Sequence, residues 1–292
     1  MKIVLFGKTG QLGWELQHML PKLGETISFG HEELDVSNLQ LIKNTLETIQ
    51  PNIVINASAY TDVDQAETQI DLAMQINAAA PGVMAETARK IDAIFIHYST
   101  DYVFDGKSNT PYKENDPTNP LNIYGKSKLM GERNVQQTGD AYLILRTSWV
   151  YGKRGNNFVN KVLEWSHKNK IMKVVNDQIS NPTWVHMLAK HTGNILNKKD
   201  PNLFEKVREK HGVYHLAGIG HTSRYEWAKQ IIAHDPNKSE QVVETIIPVT
   251  SEEFPTKAIR PLFSALDTTK LLNAFHLTIP SWEESLQLAM KK

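Results

Sequence analysis

The chain has 292 residues, 40% of them hydrophobic, and its 32 Lys plus Arg are balanced by 32 Asp plus Glu. That neutrality argues against a dedicated nucleic-acid binder, which carries a basic excess or stripe, and the absence of cysteine excludes thiol nucleophiles, thiolate zinc sites and disulfides. The histidines form no HExxH motif, so no metal is expected; no apolar run approaches the ~20 residues that span a bilayer and "MKIVLFGKTG" lacks a signal-peptide core, so a soluble cytoplasmic protein without a membrane partner is expected.

In chain order, "KIVLFG" (2–7) reads as a strand and "QLGWELQHML" after it has helical spacing. Further strands are expected at "TISFG" (26–30), "NIVINAS" (52–58), "AIFIHYS" (93–99) and "YLILRTS" (142–148). Between them "NLQLIKNTLETI" and "IDLAMQINAAAPGVMAETARKI" have helical periodicity, with Asp35 and Ser37 as polar starts and Pro81 expected to interrupt the third helix. Strands alternating with helices imply βαβ units and a parallel sheet covered on both faces. Right-handed crossovers then lead to an α/β, doubly wound parallel sheet of the Rossmann type. After about residue 170 the polar, proline-bearing stretches "NDQISNPTW", "AHDPNKSE" and "EEFPTKAIRP" break this alternation. The expected division is a dinucleotide-binding domain over 1–170 and a smaller C-terminal substrate-binding lobe over 171–292, with "GVYHLAG" (212–218) returning to the first sheet.

"LFGKTGQLGWEL" places Gly7, Gly10 and Gly13 between the first strand and the first helix. Glycines there permit a tight turn and close backbone approach, and the helix start offers unpaired N–H groups to a pyrophosphate. The spacing is GxxGxxG, a form typical of short-chain dehydrogenase/reductase relatives. The second strand of such folds often ends in an acid that binds the adenosine ribose of NAD. Here it ends at Gly30 and His31, with no immediate carboxylate to repel a 2′-phosphate and no Arg or Lys to attract one. The cofactor choice therefore stays open between NADPH and NADH, and Asp35 and Val36 are candidates to flank the adenine ring.

"YGKSK" puts Tyr124 and Lys128 four residues apart, on one face of a helix. A cation beside a phenol lowers its pKa toward working pH, which suits a general acid for carbonyl reduction. "HYSTDYVFDG" ends a strand with Ser99 and Thr100 at the edge where ligands bind in doubly wound sheets.

These motifs, together with "NASAYTDVDQAE", "LRTSWVYG", "GNNF", "NDQISNPT" and "FPTKAIRP", resemble the dTDP-4-dehydrorhamnose reductase family of the extended short-chain dehydrogenase/reductase superfamily. The resemblance runs from residue 3 to about 261. It implies reduction of the C4 ketone of dTDP-4-dehydro-β-L-rhamnose, with a dTDP-sugar substrate, NADPH or NADH as hydride donor and a possible homodimer. It implies that Tyr124 donates the proton, that Lys128 tunes it while holding the nicotinamide ribose, and that Thr100 shares the same oxygen. Gly10, Gln11 and Leu12 would meet the pyrophosphate, Ala59, Tyr60 and Thr61 would border the cofactor, and Tyr98 would lie under it. Asp101 and Trp149 would face the sugar nucleotide and Arg260 its diphosphate. Tyr98 and Trp149 as core aromatics, Asp101 as a turn cap and Arg260 as a solvated side chain are the plainer alternatives, and His97 reads as a core histidine. Some relatives dimerise through magnesium held by glutamates; Glu15 matches one such position, but His186 stands where another would be sought. Two other functions stay open: a regulatory subunit resembling the methionine adenosyltransferase β subunit, and a sugar-nucleotide epimerase of the same superfamily.

Overall fold

The computed structural model describes residues 1–197 and 200–291. Its first half is a run of strand–helix units: β1 (Lys2–Phe6), α1 (Gln11–Met19), β2 (Glu25–Phe29), α2 (Leu39–Ile49), β3 (Ile53–Asn56), α3 (Val63–Ala66), α4 (Ile70–Met74), α5 (Ala80–Lys90), β4 (Ile94–Thr100), α6 (Ile123–Thr138) and β5 (Tyr142–Thr147). The chain continues through β6 (Val150–Tyr151), α7 (Phe158–Lys168), β7 (Ile171–Val175), β8 (Ile179–Ser180), β9 (Thr183–Trp184), α8 (Val185–Ile195), α9 (Leu203–Glu209) and β10 (Gly212–His215). It ends with β11 (Thr222–Ser223), α10 (Arg224–Ala233), β12 (Thr245–Val249), α11 (Thr269–Phe275) and α12 (Trp282–Lys291).

Side chains alternate across a strand, and here both faces are apolar. Ile3, Leu5, Ile53, Ile55, Ile94, Ile96, Leu143 and Leu145 fill one core; Val4, Phe6, Val54, Phe95, Tyr142 and Ile144 fill the other. A sheet buried on both faces needs helices on both, which parallel crossovers supply. The six-stranded sheet runs β10–β5–β4–β3–β1–β2, with every pairing parallel. β2 and β3 lie on opposite sides of β1, so the strand order reverses there and opens a crevice at the carboxyl ends.

The long apolar stretch before β4 is not one helix. α4 ends at Met74, Gln75–Ala79 form a π-helical turn, and Pro81 sits in the first turn of α5. Proline has no N–H to donate, and the wider π turn precedes the register it interrupts.

After β5 the chain forms three small two-stranded pieces, β8 with β11, β7 with β12 and β6 with β9. Helix α7 packs on α10. Tyr151 and Val159, from before residue 171, join Val174 and Trp227 in the core on one face of the main sheet, so the packing is continuous across the expected boundary at 170. β10 extends the main sheet beside β5.

Candidate active site

Gly7 leaves β1 at φ +87°, and a Cβ there would lie 2.6 Å from the Ser58 N. A Cβ on Gly13 would lie 1.9 Å from the Gly7 carbonyl oxygen. These two glycines let α1 start directly on the turn that follows β1. Gly10 is the N-cap, with no side-chain cap and no acidic residue in the first turn, and a Cβ on it would meet only Gly7 O, at 3.5 Å. The N–H groups of Gln11, Leu12 and Gly13 have no acceptor inside the helix. An uncapped, positive helix end at the switch point fits a dinucleotide pyrophosphate.

The other rim of the crevice follows β3 through Ala59, Tyr60 and Thr61. Tyr60 N donates to Asn77 Oδ1 at 2.9 Å, and Asn77 Nδ2 donates to Tyr60 O at 3.0 Å. Asn77 belongs to the π turn, which therefore fixes this rim. Asp35 Oδ1 accepts from Ser37 N at 2.8 Å, a bond that holds its carboxyl below the ordinary range. Val36 is packed with Leu34 and Ile42 in the second core. At the end of β2 the expectation of no cation is corrected. Lys8, from the glycine loop, pairs with Glu33, whose other oxygen accepts from Gly30 N at 2.8 Å.

Asn122 Oδ1 accepts from Gly125 N at 2.8 Å and caps α6, so Tyr124 and Lys128 lie in its first two turns. Lys128 is 2% exposed. Its Nζ donates to Tyr98 O at 2.6 Å and lies 3.3 Å from His97 Nε2. Burial brings this ammonium down to about 8, opposed by the Glu132 carboxylate. Burial pushes the Tyr124 phenol well above the usual tyrosine value, against a hydrogen bond with the Thr100 side chain. The expected lowering of the phenol by Lys128 is thus absent, because Lys128 is committed to β4. The phenol therefore holds its proton at neutral pH, the form that can donate, but as a weaker acid than the sequence reading expects.

Thr100 Oγ1 donates to Asp101 Oδ1 at 3.1 Å and accepts from Tyr102 N at 3.2 Å. Asp101 was expected beside the sugar. Its carboxylate is instead buried, accepting from Ser180 Oγ and Ser264 Oγ, and burial raises it to about 6 despite these bonds. It ties the end of β4 to the second lobe. His97, fully buried, lies between Lys128 and Asn56 Nδ2, which is 3.2 Å from its Nδ1; burial drives its pKa well below the ordinary value. The Tyr98 ring is in the core, its hydroxyl 2.5 Å from Thr192 Oγ1; what it gives the site is its carbonyl oxygen.

A cavity of about 820 Å³ opens next to this group, lined among others by Tyr102, Trp149, Asn157, Phe158, Arg224 and Arg260. The Tyr102 ring stands edge-on to Tyr124 with centroids 5.8 Å apart. Trp149 has φ +40°, an outlier for so bulky a residue of the kind that clusters at functional sites. Its ring stacks on Trp227 at 5.5 Å. Arg260 is not available as a free cation: it pairs in two contacts with Asp64, at 2.7 and 3.3 Å. Asn157 caps α7 and donates to Gln11 Oε1 at 3.0 Å, which gives "GNNF" a role in joining the lobe to α1. Glu15 Oε2 is 2.8 Å from His186 Nδ1.

The sequence reading missed Lys8, Asn77, Tyr102 and Arg224. Lys8 follows Gly7 in the glycine loop and Tyr102 stands two residues beyond Thr100, proximities that were their local signals; Asn77 and Arg224 reach the site from separate elements.

A parallel doubly wound sheet with an uncapped helix end at its switch point, and with Tyr124, Lys128 and Thr100 near the strand ends, is the architecture of the extended short-chain dehydrogenase/reductase class. Residues 1–292 match the RmlD substrate binding domain family, and the chain belongs to that family. It is 39% identical over 293 residues to a dTDP-4-dehydrorhamnose reductase of Escherichia coli, covering 97% of this chain and 95% of the relative. It is 37% identical over 298 residues to one of Burkholderia thailandensis, covering 100% and 98%. The crystal structure of dTDP-4-dehydrorhamnose reductase from Bacillus anthracis in complex with NADP is 36% identical, with a TM-score of 0.89 over 99% of this chain and 98% of that one. No helix among the described residues is long and apolar enough to cross a membrane.

Proposed function

We propose that this protein reduces the C4 ketone of dTDP-4-dehydro-β-L-rhamnose to dTDP-β-L-rhamnose, in the cytoplasm, using NADPH or NADH. The observation that carries the reading is Tyr124 in the first turn of α6, its ring edge-on to Tyr102 with centroids 5.8 Å apart, where Tyr102 lines a cavity of about 820 Å³. The reduced nicotinamide supplies the hydride to C4, and Tyr124 supplies the proton to its oxygen. The Thr100 hydroxyl, which donates to Asp101 Oδ1 in this structure, would turn its hydrogen to the same oxygen once the ketone is bound. Donors fixed in advance act most strongly on the negative charge that develops in the transition state.

Lys128 spends one of its N–H donors on Tyr98 O; another is left for a ribose hydroxyl of the cofactor. Gly10, Gln11, Leu12 and Gly13 hold the pyrophosphate on the α1 terminus, while Ala59, Tyr60 and Thr61 border the cofactor. The strands and helices from β6 to β9 and from β11 to residue 266 form the sugar-nucleotide lobe, where Trp149 packs against the substrate. That lobe positions the ketone against the nicotinamide and excludes water.

The test is oxidation of NADPH and NADH by the purified protein with and without this ketone. Ketone-dependent oxidation that falls at least a hundredfold in Tyr124→Phe, with cofactor affinity kept, is the expected result, in line with the ~10²–10⁴-fold typical of general acids. Absence of ketone-dependent oxidation with either cofactor overturns the reading, and conversion of the ketone without net cofactor oxidation assigns an epimerase.

A further inference from the structure

We propose that Arg224 is the side chain that anchors the diphosphate of a nucleoside diphosphate–sugar in the large cavity, an inference that rests on the reading of that cavity as the sugar-nucleotide site. Four cations line it: Lys161, Lys173, Arg224 and Arg260. Arg260 is neutralised by Asp64 and Lys173 by Glu253 at 3.2 Å. Lys161 is exposed to solvent, where a mobile ammonium gives little orientation. Arg224 differs from all three. Among the described residues no carboxylate forms an ion pair with it, and its half-buried guanidinium lies against rings instead.

The local structure fixes that guanidinium before any ligand arrives. Arg224 opens α10, with Ser223 capping the helix by accepting from Glu226 N at 3.1 Å. Its own N–H donates to Gln178 O at 3.2 Å. The guanidinium carbon lies 3.7 Å from the Trp149 ring centroid, 4.8 Å from Phe158 and 5.7 Å from Trp227. Contact with a ring uses the face of the guanidinium and leaves its in-plane N–H donors available at the edge. That edge is a planar fork matched to two oxygens of a phosphate. Burial lowers the group to about 10, opposed by Tyr102 and Asp101, so it remains charged at neutral pH with no carboxylate in direct contact. A diphosphate supplies the counter-ion. The left-handed φ of Trp149 is then the strain that sets the ring under Arg224.

The experiment is calorimetric titration of dTDP, UDP and thymidine into the wild type, Arg224→Gln and Arg224→Lys, with NADPH binding as the folding control. The expected result is that Arg224→Gln weakens dTDP at least tenfold, leaves thymidine within threefold, and leaves NADPH unchanged. Arg224→Lys, which keeps the charge but not the fork, should weaken dTDP by roughly three- to tenfold. If Arg224→Gln loses NADPH binding as well, the lysine variant decides. Binding of dTDP within threefold of wild type in Arg224→Gln, or in Arg224→Lys where that variant decides, overturns the proposal, as does a wild type that binds neither diphosphate. A wild type that prefers UDP, with that affinity lost in Arg224→Gln, keeps the anchor and removes the thymidine substrate instead.

Discussion

Lys8 should set the preference between NADPH and NADH. In doubly wound folds the adenosine ribose lies at the end of the second strand, where Lys8 reaches across to pair with Glu33 beside Gly30. The Lys8 side chain is 28% exposed and Glu33 48% exposed, so water screens the site. Unit charges 4 Å apart interact by ~1 kcal/mol in water and ~4 kcal/mol at an effective dielectric of about 20. With a 2′-phosphate and Glu33 competing for one half-screened ammonium, the lower part of that range applies, about 1–2 kcal/mol, or roughly 5- to 30-fold in Kd. Lys8→Met should therefore weaken NADPH by that factor and leave NADH within about threefold by the same arithmetic. Glu33→Gln should strengthen NADPH, since it removes the competing charge while its amide oxygen still accepts from Gly30 N. Gly30 itself is a poor place to test this: a Cβ there would lie 2.9 Å from both Glu33 Oε2 and Thr9 Cγ2. The assay is nicotinamide fluorescence on titrating each cofactor, at low and at high salt. Equal losses for both cofactors in Lys8→Met, or weaker NADPH binding in Glu33→Gln, refute the reasoning.

Lys128 loses its proton near pH 8 rather than 10.5 because it is buried; kcat/KM, which reports the free enzyme, should fall as pH rises through about 8, and a profile flat to pH 9.5 contradicts this. Gly13→Ala should abolish measurable cofactor binding and lower the melting temperature, because the atoms its Cβ would strike, Gly7 O and Gly7 C, are backbone; wild-type affinity in that variant would show the turn to be adaptable. Arg146 holds both oxygens of Glu132, at 2.9 and 2.7 Å, and Glu132 is 1% exposed. Arg146→Met should cost about 3–5 kcal/mol by leaving that carboxylate buried and uncompensated. Restoration of most of the loss in Arg146→Met combined with Glu132→Gln, read by urea unfolding, is the accompanying expectation, and a single-variant loss under about 1 kcal/mol contradicts the assignment.

What the sequence determined by itself are the features set by near neighbours in the chain. Continuous apolar runs in "KIVLFG" and "NIVINAS" dictate strands covered on both faces, and the three-residue spacing of Gly7, Gly10 and Gly13 dictates a turn into a helix. Tyr124 and Lys128 share a face through the pitch of one helix, which no distant contact is needed to establish. The tertiary structure decided everything that depends on two distant segments meeting. Asp64 and Arg260 are 196 positions apart, yet their pairing removes a cation from the cavity. Asp101 and Ser264 are 163 apart, yet their bond turns an expected substrate contact into a tie between lobes. Lys8 reaches Glu33 only because β1 and β2 are adjacent strands, and Arg224 finds Trp149 only because α10 folds against the strand-end loops. A side chain's charge and hydrogen-bonding capacity are written in its residue type, but whether they are spent or left available depends on partners that only the closed chain brings within 3–4 Å, the range over which hydrogen bonds and ion pairs act.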